Sequence, residues 1–180
     1  VACADDEALV DVVKGANRQY FTYGFAEAAA ARILSYEPQG VGSSFSLELP
    51  DGQVVHARVP QNPGRHNVQN AAGVLTLLWA LGYDPQKAAL AMSEFAGVKR
   101  RFDLVGIEND ITIVDDYAHH PTEIAATIEA ASQLGYNNVH VLFQPHRYSR
   151  APLFTEVLHD EFGRAFNRAD AITFMDVYPA

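Results

Sequence analysis

The clearest pattern in the chain is a strict alternation of polar and apolar residues. Ser44-Phe45-Ser46-Leu47-Glu48-Leu49 turns at Pro50-Asp51-Gly52 and returns as Val54-Val55-His56-Ala57-Arg58-Val59, which predicts two half-buried strands joined as a hairpin. Upstream, residues 1–6 read as the end of a strand and its loop. Ala8, Leu9, Val12 and Val13 then recur at helical spacing up to a stop at Gly15. Gln19-Tyr20-Phe21-Thr22-Tyr23, ending at Gly24, and Ala31-Arg32-Ile33-Leu34-Ser35-Tyr36 are short strands by composition. After the hairpin the period lengthens. Gly64-Arg65-His66-Asn67-Val68-Gln69-Asn70 opens a long apolar helix running through Leu81 and closed by Gly82. Asp84 and Pro85 then suit the cap and first position of a second helix with Ala88, Ala89, Met92 and Phe95 on one stripe, ended by Gly97.

Residues 102–110 read as a bridge into a new unit. From Ile111 the order is strand, helix (121–134), strand (138–143), helix (about 152–166) and strand (171–174). Such alternation predicts an α/β fold with a parallel sheet and right-handed crossovers. A domain boundary is expected between Gly97 and Phe102. No internal repeat is evident.

The first two strands of the second unit run straight into polar clusters. The first continues as Asp115-Asp116-Tyr117-Ala118-His119-His120-Pro121, the second as Gln144-Pro145-His146-Arg147-Tyr148-Ser149-Arg150. Ligands of open α/β sheets bind outside the carboxyl ends of the strands, so neighbouring strands would bring these groups to one crevice. Pro121 fits the first position of a helix, whose free N–H groups favour anions. Arg147 and Arg150, three residues apart, suit a forked grip on one anion. The combination points to an anionic, phosphorylated ligand.

Composition narrows the class. The chain has 180 residues, is 48% hydrophobic and carries a formal net charge of −9. Such acidity disfavours nucleic acid, while a locally basic crevice on an acidic protein suits a small anionic substrate. No apolar run approaches the roughly 20 residues of a membrane span, and residues 1–7 lack the basic and apolar regions of a secretory leader. Cys3 is the single cysteine; no internal disulfide can form, which fits a cytoplasmic setting, and Cys3 itself reads as a small buried residue. Asn67 and Asn70 fall on one helical face, where amide groups can read a nucleobase edge; Asn67 as a simple helix cap is the plainer alternative. Arg100-Arg101-Phe102, at the expected hinge, can supply a cation to a phosphate.

Together these motifs resemble the Mur ligases. The resemblance rests on Tyr23-Gly24-Phe25, on the run from Gly64 to Ala71, on Phe95-Ala96-Gly97-Val98-Lys99-Arg100-Arg101-Phe102, on the stretches 115–123 and 143–150, and on Asp176-Val177-Tyr178. It implies part of the family's central ATP-binding domain over 1–99 and the first part of its Rossmann-like, parallel-sheet C-terminal domain over 100–180. The implied reaction is ATP-dependent amide formation through an acyl phosphate with Mg²⁺. The motifs are most similar to the branch whose substrates are UDP-N-acetylmuramate and L-alanine. A recycling branch that attaches a whole peptide ranks second, because it usually has Phe where this chain has Tyr117. The folate polyglutamate ligases share the architecture but not the paired histidines. By the resemblance His66, Asn67 and Asn70 would face adenine. Arg101 and Asp116 would contact ATP, Asp116 at the ribose. Tyr117, His119, His146, Arg147 and Arg150 would hold the muramoyl substrate or the amino acid, with Asp115 and His120 orienting them.

The sequence contains no Gly-x-x-x-x-Gly-Lys-Ser/Thr loop, the usual phosphate cradle. The reading is therefore of a fragment of an enzyme of roughly 450–500 residues in three domains, inactive in isolation; a nucleotide- or sugar-binding module without chemistry is the alternative.

Overall fold

The computed structural model describes residues 1–150, 152 and 158–179. The chain divides into two compact units, Val1–Gly97 and Val98–Ala180.

The first unit is built on a five-stranded sheet, β1 (Ala2–Cys3), β2 (Thr22–Gly24), β3 (Ala31–Gln39), β4 (Gly42–Glu48) and β5 (Val54–Val59), in that spatial order. The first three strands pair in parallel and the last three antiparallel. The predicted hairpin is β4–β5, in a register that sets Leu47 opposite Val55 and Phe45 opposite Ala57. Those four side chains are buried and the residues between them are not, so the alternation of the sequence is the alternation of the two sheet faces. β3 runs three residues further than its composition suggested and turns into β4 at Gly40, where φ is +56°.

Helices α2 (Arg65–Ala80) and α3 (Pro85–Met92) cover the apolar face, burying Val68, Ala72, Leu75 and Ala89 against Ile33, Leu47 and Val55. Asp84 caps α3 by accepting from the N–H groups of Gln86 and Lys87. The indole N–H of Trp79 donates to Asp51 at 2.8 Å, fastening the hairpin turn to α2. Helix α1 (Glu7–Lys14) is capped by Asp6 and closes at Gly15 as predicted, but it buries no residue fully; Val10 and Val13 are half-buried. Cys3 is half-buried rather than buried.

In the second unit residues 103–108 form a strand, not a bridge. β6 (Asp103–Glu108) and β7 (Ile111–Asp115) are an antiparallel hairpin. Its turn is Asn109-Asp110, both left-handed at φ +50° and +62°, the backbone that favours tight hairpins. β8 (His140–Phe143) and β9 (Ala171–Phe174) pair in parallel. Among the described strands β7 is hydrogen-bonded to β6 and not to β8, so the two cluster-bearing strands are not paired neighbours. α4 (Pro121–Ser132) and α5 (His159–Arg164) supply the core, where Ile124, Ile128, Phe143, Ala165 and Phe166 are buried together. Phe143 meets the rings of Phe162, Phe166 and Phe174 edge-on. Of the helix predicted near 152–166, residues 153–157 lie outside the described residues. Among the described residues no helix is long and apolar enough to cross a membrane.

Candidate functional site

Two groups of side chains answer to the sequence motifs, one in each unit. In the second unit the chain leaving β7 is tied to the segment that precedes β6. Asp116 accepts from the Phe102 N–H with one oxygen and from the Ala118 N–H with the other, both at 2.7 Å. The Tyr117 N–H donates to the Arg100 carbonyl at 2.8 Å. Arg100 and Phe102 take left-handed φ values of +61° and +52°, a backbone that costs non-glycine residues energy and gathers at functional sites. The Arg100 guanidinium consequently lies 4.8 Å over the Tyr117 ring and 3.6 Å from Asp115. Helix α4 starts from a reciprocal cap: the His120 side chain accepts from the Thr122 N–H, while Glu123 accepts from the His119 and His120 N–H groups. Glu123 also lies 3.5 Å from the His119 ring and 4.0 Å from Arg101.

The loop after β8 is held by the segment after β9. His146 and Tyr178 form a parallel bridge with stacked rings 5.5 Å apart. The Arg147 N–H donates to the Tyr178 carbonyl and the Tyr178 N–H to the Pro145 carbonyl, each at 2.8 Å. Arg147 is left-handed, at φ +72°, and a 3-10 turn (Tyr148–Arg150) follows. The two loops meet through their rings: Tyr117 lies 5.2 Å from His119 and 5.6 Å from His146, both edge-on. The convergence expected of the two clusters thus occurs, although their strands are not paired.

The electrostatics differ on the two sides. Partial burial alone would raise the Glu123 carboxyl, but the two backbone N–H bonds and the charges of His119 and Arg101 hold it below the ordinary carboxylate range. Loss of hydration, then the guanidiniums of Arg147 and Arg150 and the charges of His119 and Arg100, push the His146 imidazole below its ordinary value of 6.5. His146 Nδ1 and Arg150 Nη1 are both buried with no hydrogen-bond partner. Buried polar atoms are nearly always paired, so two unpaired nitrogens in one cluster mark a place where a ligand completes the structure.

In the first unit α2 begins at Gly64, whose φ of +99° leaves no side chain to cap it. Asn67 is therefore not the cap. It lies inside the first turn and donates to the Pro63 carbonyl at 2.9 Å, with the His66 ring 3.0 Å from the same nitrogen. His66 is half-buried, and Asn70, one turn on, is exposed. Just before them, the Arg65 guanidinium lies 3.3 Å over the Phe25 ring. Arg65, Phe25, Glu123 and Tyr178 lie within the motifs, but the sequence assigned them no part in a site. Arg65 meets Phe25 across 40 residues and Tyr178 meets His146 across 32, which leaves no local signal; Glu123 acts locally, in the cap of α4. Among the described residues no three His, Cys, Asp or Glu side chains are gathered to hold a metal.

Comparison with known proteins decides the family. The family described as Mur ligase, glutamate ligase domain, matches residues 100–179. A UDP-N-acetylmuramate–L-alanine ligase of Koribacter versatilis (strain Ellin345) is 40% identical over 100% of this chain and 39% of its own length. Residues 100–179 belong to the Mur ligase family. A second Mur ligase of the same name, from Acidobacterium capsulatum, is 43% identical over 100% of this chain and 38% of its own. The crystal structure of the Thermotoga maritima UDP-N-acetylmuramate-alanine ligase MurC superposes with a TM-score of 0.72 at 29% identity, covering 88% of this chain and 34% of that one. The chain thus spans a little under two fifths of the curated Mur ligases it matches.

Proposed function

We propose that this chain carries the substrate-facing part of a ligase that joins L-alanine to UDP-N-acetylmuramate at the expense of ATP, in peptidoglycan synthesis. The observation that carries the reading is the second-unit cluster of Tyr117, His119, His146, Arg147 and Arg150, in which one buried nitrogen of His146 and one of Arg150 have no partner. Relatives about 40% identical along the whole chain bear this activity in their names.

ATP would supply the phosphoryl group that turns the muramoyl carboxylate into an acyl phosphate; the alanine amine then attacks the acyl carbon, forming the amide bond and releasing inorganic phosphate. Both steps accumulate negative charge, and prearranged cations lower such barriers. Arg147 and Arg150 provide that charge. His146, whose imidazole is pushed below its ordinary value by lost hydration and the neighbouring guanidiniums, offers one donor and one acceptor in its neutral form. Tyr117 and His119 form the wall against the muramoyl group or the amino acid. Arg101 and Asp116 are the groups the second unit offers to ATP; His66, Asn67 and Asn70 are those the first unit offers, each unit taken by itself. Both Asp116 oxygens already accept backbone N–H bonds, so any ribose contact uses their remaining lone pairs. The Mg²⁺ that the family implies finds no ligand set among the described residues, and the steps above draw on the chain's own cations.

The test is a graft of this chain in place of the matching part of the Acidobacterium capsulatum relative. The graft should release phosphate only when ATP, UDP-N-acetylmuramate and L-alanine are all present. Turnover with a peptide but not with L-alanine would favour the recycling branch. A folded graft that binds nucleotide without turnover would reduce the chain to a binding module.

A further inference from the structure

Asp5 ends the first strand's loop and has no part in the sites above, yet its carboxylate ties three pieces of the first unit together. One oxygen accepts from the Ala26 N–H at 2.7 Å; the other accepts from the Phe25 N–H at 2.9 Å and from the Gln69 side chain at 2.6 Å. The partners are the loop leaving β2 and the second turn of α2. Gly24 makes the closure possible: its φ is +148°, and a Cβ there would stand 2.6 Å from the Asp5 carboxylate.

The result is the placement of Phe25. Its ring lies under the Arg65 guanidinium at 3.3 Å and meets Tyr36 edge-on at 6.4 Å. Arg65 directly precedes His66 and Asn67 and is exposed. Its guanidinium carbon rests over the Phe25 ring while the residue stays exposed to solvent. A guanidinium held in this way is a stacking surface for a nucleobase, a use that lysine cannot fill.

We propose that Asp5 is a positioning residue which, through Gly24 and Phe25, holds the Arg65 guanidinium flat as a stacking platform for the purine whose edge His66, Asn67 and Asn70 read. The proposal rests on the nucleotide site of the preceding section and adds how the face of the base is held. A cation serving the phosphates would need charge alone; here the guanidinium is also seated on an aromatic ring.

The test is NMR on the 180-residue chain. The Arg65 Nε–H should be shifted upfield by the Phe25 ring current. Asp5→Asn should abolish that shift and speed exchange of the Phe25 and Ala26 amides, with the methyl signals of Leu47 and Val55 unmoved. If Asp5→Asn does not fold, Phe25→Leu removes the ring, keeps the carboxylate's bonds, and should abolish the same shift. In titrations, Arg65→Lys should weaken adenosine and ATP alike by roughly tenfold, within the range of a lost stacking contact, and leave inorganic triphosphate unaffected. The proposal is overturned if the ring-current shift is absent, if it survives Asp5→Asn, or if Arg65→Lys weakens triphosphate but not adenosine. Adenosine bound equally by wild type and Arg65→Lys would remove the platform and keep the nucleotide site. A wild-type chain that binds neither adenosine nor ATP would remove both.

Discussion

Replacing Asp116 with Asn tests whether the second-unit site is held together by one side chain. The carboxylate accepts from Phe102 with one oxygen and from Ala118 with the other, at 2.7 Å each. An asparagine keeps one acceptor and turns an NH₂ toward the other backbone N–H, so a bond becomes a contact between two donors. A hydrogen bond to a charged group contributes about 1.5–3 kcal/mol, and the donor left behind loses its partner. The contacts are partly buried, which places the expected loss near 2 kcal/mol. For a unit of about 80 residues that is a fall in Tm of roughly 8–16 °C. Calorimetry should show the fall in the transition of the second unit, with the first unit's unchanged. Hydrogen exchange should speed at Phe102 and Ala118. Because the same bonds hold Arg100 over Tyr117, the Arg100–Tyr117 contact should loosen too, visible as a lost ring-current shift. A change below about 0.5 kcal/mol, an ordinary surface value, with both amides still protected, would refute the reasoning.

Arg147→Gly should raise stability by about 1 kcal/mol, because φ +72° is strained for arginine and free for glycine; the ligating graft should lose most of its turnover, and chemical denaturation with a phosphate-release assay reads both. His146 should titrate below 6.5 by NMR. Its folded pKa is depressed, so between that pKa and 6.5 the unfolded chain binds more protons. This group's contribution therefore makes the protein less stable as pH falls through that window and constant below it; a titration at or above 6.5 would contradict the placement of Arg147 and Arg150. Phe143→Ala, at the meeting of three rings, should cost about 3–5 kcal/mol and unfold the second unit first in a denaturant titration. Gly73→Ala should destabilise the first unit, since a Cβ there would meet the Tyr23 ring at 2.7 Å; an unchanged denaturation midpoint would show that the ring can retreat.

The parts of the fold governed by neighbours in sequence were legible. The β4–β5 alternation, the Asp84-Pro85 start of α3 and the stop of α1 at Gly15 all follow from local chemistry. The β6–β7 hairpin was missed although its turn, Asn109-Asp110, is made of residues that tolerate left-handed backbone. A bulge between Leu104 and Gly106 breaks the alternation there and leaves Val105 and Ile107 exposed, hiding the strand. Strand adjacency was not legible either: the order strand, helix, strand suggests neighbours, but which strands pair is decided by distant packing. The ligand clusters showed as composition at strand ends. Their supports did not, because Asp5 reaches Gln69 across 64 residues and Phe102 reaches Asp116 across 14.

The bridge between His146 and Tyr178 has a consequence for anyone shortening this protein. The carbonyl that receives the Arg147 amide belongs to the third residue from the end of the sequence. A chain stopped at Val177 would keep every residue from Gln144 to Arg150 and still let that loop go slack. A null result from so trimmed a protein would be mistaken for evidence against the arginines themselves.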